Sequence, residues 1–323
     1  MTLQNFLKLI VASLIIYYLV KYNLLDLNLL FELNLSLFLS LLFFVFFIIM
    51  IGTYKWFLVL KVQNEKITFK KTFKLYYLGY ALNFLLFGIG GDVIKTFYLI
   101  KGESNKIGIS MSVLIDRLIG LMAMFFIIIY CSPYILDIIN IYNVNKIIQN
   151  NLFDYFIYLI LLTALLFLFL NKFLNSKRIN KYLLKFLLNY KKNKFINILL
   201  NIVKVFFTYR KKIFVLIASF VLAIIAQILI AYSLYLICFE ILKFNSHFIG
   251  NFLSSVSVQL LSIIPISPGN IGVGEAAYAK LMKLFHSNSL LPFASVYLFY
   301  RLLNMIFSLP AVIIYYSFSK NKN

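Results

Sequence analysis

The chain has 323 residues, of which 63% are hydrophobic and 13% charged, and its mean hydropathy is +0.94. Soluble domains average about 45–50% apolar residues, so this composition excludes an ordinary soluble protein and indicates an integral membrane protein. A formal net charge of +21 would suggest nucleic acid as the partner of a soluble protein. Here the basic residues lie between apolar runs, which argues against nucleic acid and predicts the membrane and its anionic lipids as partners.

The apolar runs are long and do not alternate with polar residues, which excludes an outer-membrane barrel and predicts an all-α integral membrane protein. The two cysteines, Cys131 and Cys238, are too few for a metal cluster, and a disulfide between them remains an alternative. His247 and His286 show no spacing typical of metal ligands. The sequence therefore predicts no metal site and no cofactor.

Six apolar runs, taken in chain order, predict six full transmembrane helices. They are Leu9–Val20, Leu37–Leu60, Ile107–Tyr130, Leu152–Leu170, Ile213–Phe239 and Leu291–Phe318. The first run also resembles part of a signal peptide, but no small-residue cleavage site follows Tyr22. We therefore interpret it as a membrane helix.

Two further apolar segments are interrupted by glycine and proline, which brings the number of hydrophobic segments to eight. The first runs from Leu75 into Gly88, Gly90, Gly91 and Asp92. The second runs from Phe248 to Phe285, and its break holds Pro265, Pro268, Gly269, Gly272 and Gly274. A bilayer tolerates irregular backbone only where protein or a water-filled cavity satisfies the freed amides and carbonyls. Both segments are therefore predicted to be broken helices that line a protected interior.

The distribution of lysine predicts the topology. Lys61 to Lys74 form one lysine-rich loop, and Asn171–Lys212 holds twelve basic residues and no acid. If both broken segments crossed the membrane, these stretches would lie on opposite sides, against the positive-inside rule. If both are re-entrant hairpins, the stretches and both termini lie in the cytoplasm. We therefore predict an inner (plasma) membrane protein with six spans, two re-entrant hairpins and basic amphipathic helices on the cytoplasmic leaflet at residues 171–212.

The two breaks have matching surroundings. From Asp92 to Arg117 is 25 positions, and from Glu275 to Arg301 is 26. Each half contains an apolar hairpin, a glycine-rich break, an acid and then a helix with an arginine. The sequence thus predicts one polytopic domain, residues 1–323, with inverted repeats at about 37–130 and 213–318, an architecture typical of transporters.

Charged groups within the membrane are costly and usually mark a pathway or a structural lock. The candidates are Asp92, Lys95, Asp116, Arg117, Glu275 and Arg301. Two interpretations stay open: the arginines bind lipid phosphate, or the acid–arginine pairs only hold the hairpins in place. The glycines permit close backbone approach, and the amides that start the helices after each break, from Val93 onward and from Ala276 onward, are candidate anion donors. No nucleophile–His–acid set, metal spacing or P-loop is present, so we predict no catalytic site.

The second break also resembles a known family. Pro265-Ile-Ser-Pro-Gly-Asn-Ile-Gly-Val-Gly-Glu275 is similar to the signature P-x-S-P-G-G-x-G-x-x-E of the lysylphosphatidylglycerol synthase transmembrane region, also called the flippase-like domain family. Gly90-Gly-Asp92 with Lys95, then Asp116-Arg117 and Tyr300-Arg301, match its other blocks in the same order. Asn270 departs from the glycine usual in the family, and Gly88-Ile89 replaces a common proline.

The resemblance implies a translocator of a phosphate-bearing or polyprenyl-linked lipid, with a glycosyltransferase or lipid-modifying enzyme as a further expected partner. Members that aminoacylate phosphatidylglycerol carry a soluble transferase domain, which this chain lacks up to Asn323, so we expect no synthase activity. The alternatives are a non-transporting subunit of a lipid- or glycan-modifying system and an intramembrane transferase that uses Glu275 or Asp92 as a base.

Overall fold

The computed structural model describes residues 13–31, 34–85, 90–101, 103–131, 134, 194–263, 266–286, 291–311 and 313–314. Every regular element within these ranges is helical. Residues 13–21 are helical. The further helices, in chain order, are α1 (Leu35–Gln63), α2 (Phe69–Leu85), α3 (Gly90–Ile100), α4 (Lys106–Tyr130), α5 (Lys194–Lys211), α6 (Ile213–Ile241), α7 (Phe248–Leu261), α8 (Val273–Phe285) and α9 (Phe293–Ser308). The predicted all-α class is confirmed.

Three helices, α1, α4 and α6, are long and apolar enough to cross a membrane by length and composition. They coincide with three predicted spans, so this is a multi-pass membrane protein. The predicted span Leu152–Leu170 lies outside the described residues. The last predicted span is interrupted, because α9 ends at Ser308 and Leu309 and Pro310 form a turn. Proline has no N–H to donate and its ring displaces the preceding carbonyl, which explains the break.

The long helices α1 and α6 run antiparallel along most of their length. Leu41 of α1 packs with Ile241 at one end, and Val59 packs with Ala223 at the other. The start of α4 lies at the end of α1, where Asn105 Nδ2 donates to the Gln63 carbonyl oxygen at 3.1 Å. We call this end of the bundle, where α1 finishes and α4 begins, the basic end, and the other the opposite end.

Helices α2 and α3 form a hairpin that begins and ends at the basic end. Here the predicted cytoplasmic loop at residues 61–74 proves too long. Helix α1 continues through Lys61 to Gln63, and α2 begins at Phe69, so Lys70 and Lys74 are helical. Lysine is a good helix former, and its long stem reaches solvent from a helix terminus, so lysine density does not require a loop.

Helices α7 and α8 form a second hairpin, which begins and ends at the opposite end. The His247 backbone N–H donates to His286 Nε2 at 3.3 Å, so the first and last residues of this hairpin meet. Helix α8 begins at Val273, earlier than the predicted Ala276. The reason is local, since the Glu275 carboxylate accepts the Gly272 N–H and so caps the first turn.

Side chains of α2 and α9 join the two halves. Tyr77 donates to the Phe307 carbonyl oxygen, and the Tyr80 hydroxyl bonds to Asn304 Oδ1. The turn at the tip of the second hairpin also packs against α2. Each hairpin is thus held partly by the other half of the chain.

Helix α5 falls within the predicted basic amphipathic segment and packs at the basic end. Tyr209 donates to the Val59 carbonyl oxygen at 2.9 Å, and Gln63 Nε2 donates to the Thr208 hydroxyl at 3.1 Å. The part of this segment before residue 194 lies outside the described residues. Cys131 and Cys238 are both free and buried, so the alternative of a disulfide is wrong.

Candidate functional site

The structure gathers the six predicted charged residues into two groups, one in each half. We call the first the first-half cluster, and its members are Lys55, Asp92, Lys95, Asp116 and Arg117. The second group, Glu275 with Arg301, is the second-half pair. Whether either group binds a lipid stays a prediction.

Asp92 is the centre of the first-half cluster. It lies in the first turn of α3, where the helix dipole favours a carboxylate. Its Oδ2 accepts from both Nε and Nη2 of Arg117 on α4. Its Oδ1 lies 2.7 Å from Nζ of Lys95, one turn further along α3. The carboxylate thus connects the hairpin to the neighbouring long helix.

Lys95 is enclosed, with only 4% of the residue exposed. Its Nζ lies 4.6 Å from the ring centroid of Trp56 and 5.3 Å from that of Tyr76. Aromatic faces attract a cation through their quadrupole and replace part of the water that it lost. This lysine is therefore committed to Asp92 and to the two rings.

Lys55 is the member of the cluster that the sequence analysis missed. Its Nζ lies 3.1 Å from Asp116 Oδ1 and donates to the Asp116 carbonyl oxygen at 3.3 Å. Lys55 lies inside the apolar run Leu37–Leu60, where an ionisable residue is expensive. Asp116 was identified as a charged residue within an apolar run, and the same criterion would have identified Lys55.

Arg117 differs from the other members of the cluster because 54% of its side chain is exposed. It lies about midway along α4, and exposed apolar residues occur on both helices that the Asp92–Arg117 contact joins, namely Val93 and Phe97 on α3 and Leu114 and Leu118 on α4. A guanidinium carries two donor edges, and Asp92 contacts the one formed by Nε and Nη2. The other edge has the right shape for a phosphate.

The α2/α3 hairpin depends on two glycines. A Cβ at Gly91 would collide with the Gly79 carbonyl oxygen, and one at Gly79 would lie 3.0 Å from the Gly91 oxygen. The Gly91 N–H donates to Asn83 Oδ1 at 3.0 Å. Close backbone approach therefore places Asp92 against α4. Gly90 is the first residue of α3, and Gly88 lies outside the described residues.

The second-half pair is closed. Arg301 Nη1 lies 2.8 Å from Glu275 Oε1, and Nη2 donates to the Asn270 carbonyl oxygen at 2.9 Å. The other oxygen of Glu275 accepts the Gly272 N–H at 2.7 Å. The two side chains are only 6% and 2% exposed. This geometry fastens α9 to the break in the second hairpin.

The break itself turns through left-handed backbone conformations. Gly269, Asn270 and Gly272 have φ of 54°, 61° and 82°. Asparagine tolerates this region better than other residues with a Cβ, which explains how Asn270 replaces the family's glycine. Its Nδ2 also donates to Ser262 Oγ at 2.6 Å, a contact that glycine would lack. Pro268 begins the short turn Pro268–Asn270, whereas Pro265 lies outside the described residues.

Gly274 makes room for the pair. A Cβ there would lie 2.8 Å from Arg301 Nη2 and 2.9 Å from a ring carbon of Tyr297. The amides that follow this break were predicted to be candidate anion donors, and two amides of this region have partners within the protein. The Ala276 N–H donates to the Gly272 carbonyl oxygen within the helix, and Glu275 accepts the Gly272 N–H. The protein's own carboxylate therefore occupies one donor of this break.

The two groups thus differ in what they can do chemically. The first-half cluster includes an exposed arginine side chain, that of Arg117, whereas both side chains of the second-half pair are almost completely buried. Among the residues that the structure describes, no three His, Cys, Asp or Glu side chains converge to hold a metal ion.

Comparisons with known proteins identify the family. A search of curated proteins and a search of solved structures each found no match. The family described as "Lysylphosphatidylglycerol synthase TM region" matches residues 5–311, nearly the whole chain. The chain therefore belongs to the lysylphosphatidylglycerol synthase transmembrane-region family, which connects it with the handling of membrane lipids.

Proposed function

We propose that this protein moves a phosphate-bearing or polyprenyl-linked lipid between the leaflets of the inner membrane. The observation that carries the proposal is the exposed side chain of Arg117, paired with Asp92 about midway along a membrane-spanning helix. An arginine is costly at such a depth unless it is paired or binds an anion. Lipid phosphate is the anion that a membrane supplies.

The proposal includes six full spans and two re-entrant hairpins. Helix α3 has 11 residues and α8 has 13, which correspond to about 16 and 20 Å of rise. Both lengths fall short of the roughly 30 Å hydrocarbon core. Each hairpin also begins and ends at one end of the bundle, as a re-entrant segment must.

The proposal also includes an inverted repeat. The α2/α3 hairpin opens at the basic end and the α7/α8 hairpin at the opposite end, so the two halves repeat the same order of elements in opposite directions. The contacts of Tyr77 with Phe307 and of Tyr80 with Asn304 lie between the halves. A rocking motion of one half against the other would expose the head-group path to each leaflet in turn.

We place the basic end in the cytoplasm, together with both termini. Helical residues 13–21 lead to Leu24, whose carbonyl oxygen accepts the Ala294 N–H at the start of α9. Both segments therefore meet at the opposite end and point their outer termini toward the basic end. The lysine-rich turns at that end support its assignment to the cytoplasm.

Reconstitution in liposomes tests the proposal. Vesicles would carry fluorescent phosphatidylglycerol or a polyprenyl phosphate esterified with a fluorescent group, and a membrane-impermeant quencher would report the label in the outer leaflet. We expect the protein to accelerate exchange between leaflets and Arg117→Ala to reduce it toward the rate of protein-free vesicles. The matched control is Lys71→Ala, because Lys71 lies in a surface pair with Glu103. Exchange no faster than in protein-free vesicles for either lipid would refute translocation and favour a non-transporting subunit.

A further inference from the structure

The first-half cluster does not balance its own charge. Lys55, Lys95 and Arg117 are cations, and among the described residues only Asp92 and Asp116 pair with them. Three positive charges against two negative ones leave one positive charge in excess. The second-half pair, one carboxylate with one guanidinium, is neutral.

An uncompensated positive charge within the membrane is energetically costly. A charge within the membrane is tolerated when a partner of opposite sign neutralises it. Lys55 and Asp116 form a neutral pair 3.1 Å apart, whereas the single carboxylate of Asp92 is shared by Lys95 and Arg117. The uncompensated positive charge therefore belongs to the group of Asp92, Lys95 and Arg117.

The contacts show where that charge is available. Lys95 is enclosed by Asp92 and two aromatic rings, and Lys55 is bound to both the side chain and the carbonyl of Asp116. Both lysines are therefore committed. Arg117 is the exposed member, and its contacts with Asp92 use Nε and Nη2, which leaves the edge that includes Nη1 as a donor.

We propose that this site selects lipids whose head group carries one negative charge, as a phosphodiester does, over zwitterionic, dianionic and cationic lipids. The inference rests on the proposed function and adds the charge class of the substrate. A phosphodiester neutralises the excess and accepts two hydrogen bonds from the free edge of Arg117. A dianion would leave one negative charge uncompensated, and a lipid with a basic head group would add another cation.

The apolar surroundings indicate that the anion is attached to a lipid. Val93 and Phe97 on α3, and Leu114 and Leu118 on α4, are exposed on the two helices that the Asp92–Arg117 contact joins. These side chains offer a surface for acyl or prenyl chains next to the phosphate position. A free phosphate would gain nothing from them.

A binding experiment tests the charge class without requiring transport. The detergent-solubilised full chain would be titrated with dihexanoyl lipids of different charge, and thermal unfolding would report binding. We expect dihexanoyl phosphatidylglycerol to bind at least about tenfold more tightly than dihexanoyl phosphatidylcholine or phosphatidic acid, because a charge-assisted contact is at stake. Dimethyl phosphate, with the same charge and no chains, should give no shift at the same concentrations. An equal shift with dimethyl phosphate would overturn the assignment to lipid.

Variants that change the balance sharpen the test. Lys95→Met removes one cation, which leaves the cluster neutral, so the preference should move to the zwitterionic phosphatidylcholine. Asp116→Asn removes one carboxylate, which leaves two positive charges in excess, so the preference should move to the dianionic phosphatidic acid. Lys71→Met changes the net charge of the protein equally but outside the cluster, so it should leave the order unchanged. The wild-type series alone decides the matter if a variant does not fold. Equal affinity for all head groups would overturn the inference.

Failures of the two proposals are distinguishable. Selective binding of the monoanion without exchange between leaflets would refute translocation and keep the charge class. Exchange at equal rates for all head groups would support translocation and refute selection of the lipid by its charge.

Discussion

The Arg301 guanidinium lies 2.8 Å from the Glu275 carboxylate, and both groups are almost completely buried. Arg117 makes the corresponding contact with Asp92 in the other half, but more than half of its side chain is exposed. The two acid–arginine pairs have similar spacing in the chain and different environments. We therefore expect the second pair to govern stability and the first to govern binding.

Glu275→Gln tests the structural part of this division. The substitution leaves Arg301 charged and buried without its partner, which typically costs 3–5 kcal/mol, so we expect a loss of roughly that size in the free energy of unfolding. Unfolding in detergent, followed by circular dichroism or by the exposure of Cys238, measures it. Glu103→Gln removes a carboxylate from an exposed pair 3.7 Å from Lys71 and should change stability by about 1 kcal/mol or less. Similar losses in both variants would contradict the assignment.

The same change, glycine to alanine, should shift the free energy of unfolding in opposite directions at two positions. Gly274→Ala places a methyl group 2.8 Å from Arg301 Nη2, so we expect it to destabilise the protein by about 1–3 kcal/mol. Gly120→Ala is its control, because the nearest atom to the new Cβ is Lys55 Nζ at 3.7 Å. Alanine in the middle of a helix stabilises it by about 0.5–1 kcal/mol relative to glycine. Thermal unfolding of the two variants side by side measures the contrast, and loss of stability in both would contradict it.

Arg117→Lys separates charge from geometry. Lysine keeps the positive charge beside Asp92 but cannot offer two planar donor edges at once. We expect lipid exchange in liposomes to slow by at least about tenfold, the cost of losing a charge-assisted contact. The unfolding temperature should change little, because Asp92 also keeps Lys95. An exchange rate equal to that of the wild type would show that the free guanidinium edge is not used.

Stability should fall at acidic pH because of His286, which lies in the connection after α8 and outside the spanning helices. Burial and the neighbouring His247 lower the pKa of His286 below its usual value. A lowered pKa stabilises the fold above the unfolded pKa of about 6.5, and this contribution is lost as pH falls further. Protonation would also remove the acceptor used by the His247 backbone N–H.

Unfolding temperatures between pH 8 and pH 5 measure this effect. His286→Asn cannot titrate in that range, so the decline below about pH 6.5 should become much smaller in this variant. An unchanged decline would assign the pH dependence to other groups.

Much of the architecture was predictable because its causes are local. Runs of apolar residues predicted α1, α4 and α6, and the density of glycine and proline located the second break. The predictions of a loop at residues 61–74 and of a continuous last span were wrong in detail. Lysines near the helix ends remained helical, and a single proline, Pro310, ended α9 early.

The sequence by itself determined the class of the protein, the positions of the broken segments and six of the charged residues, since composition, helix breakers and intramembrane charges are visible without neighbours. Only the tertiary structure decided how these charges are used. Lys55 meets Asp116 across 61 positions of chain, and Arg301 is buried while Arg117 is exposed. Such differences arise from the packing of helices that are distant in sequence, and the energy of a charge depends on what surrounds it.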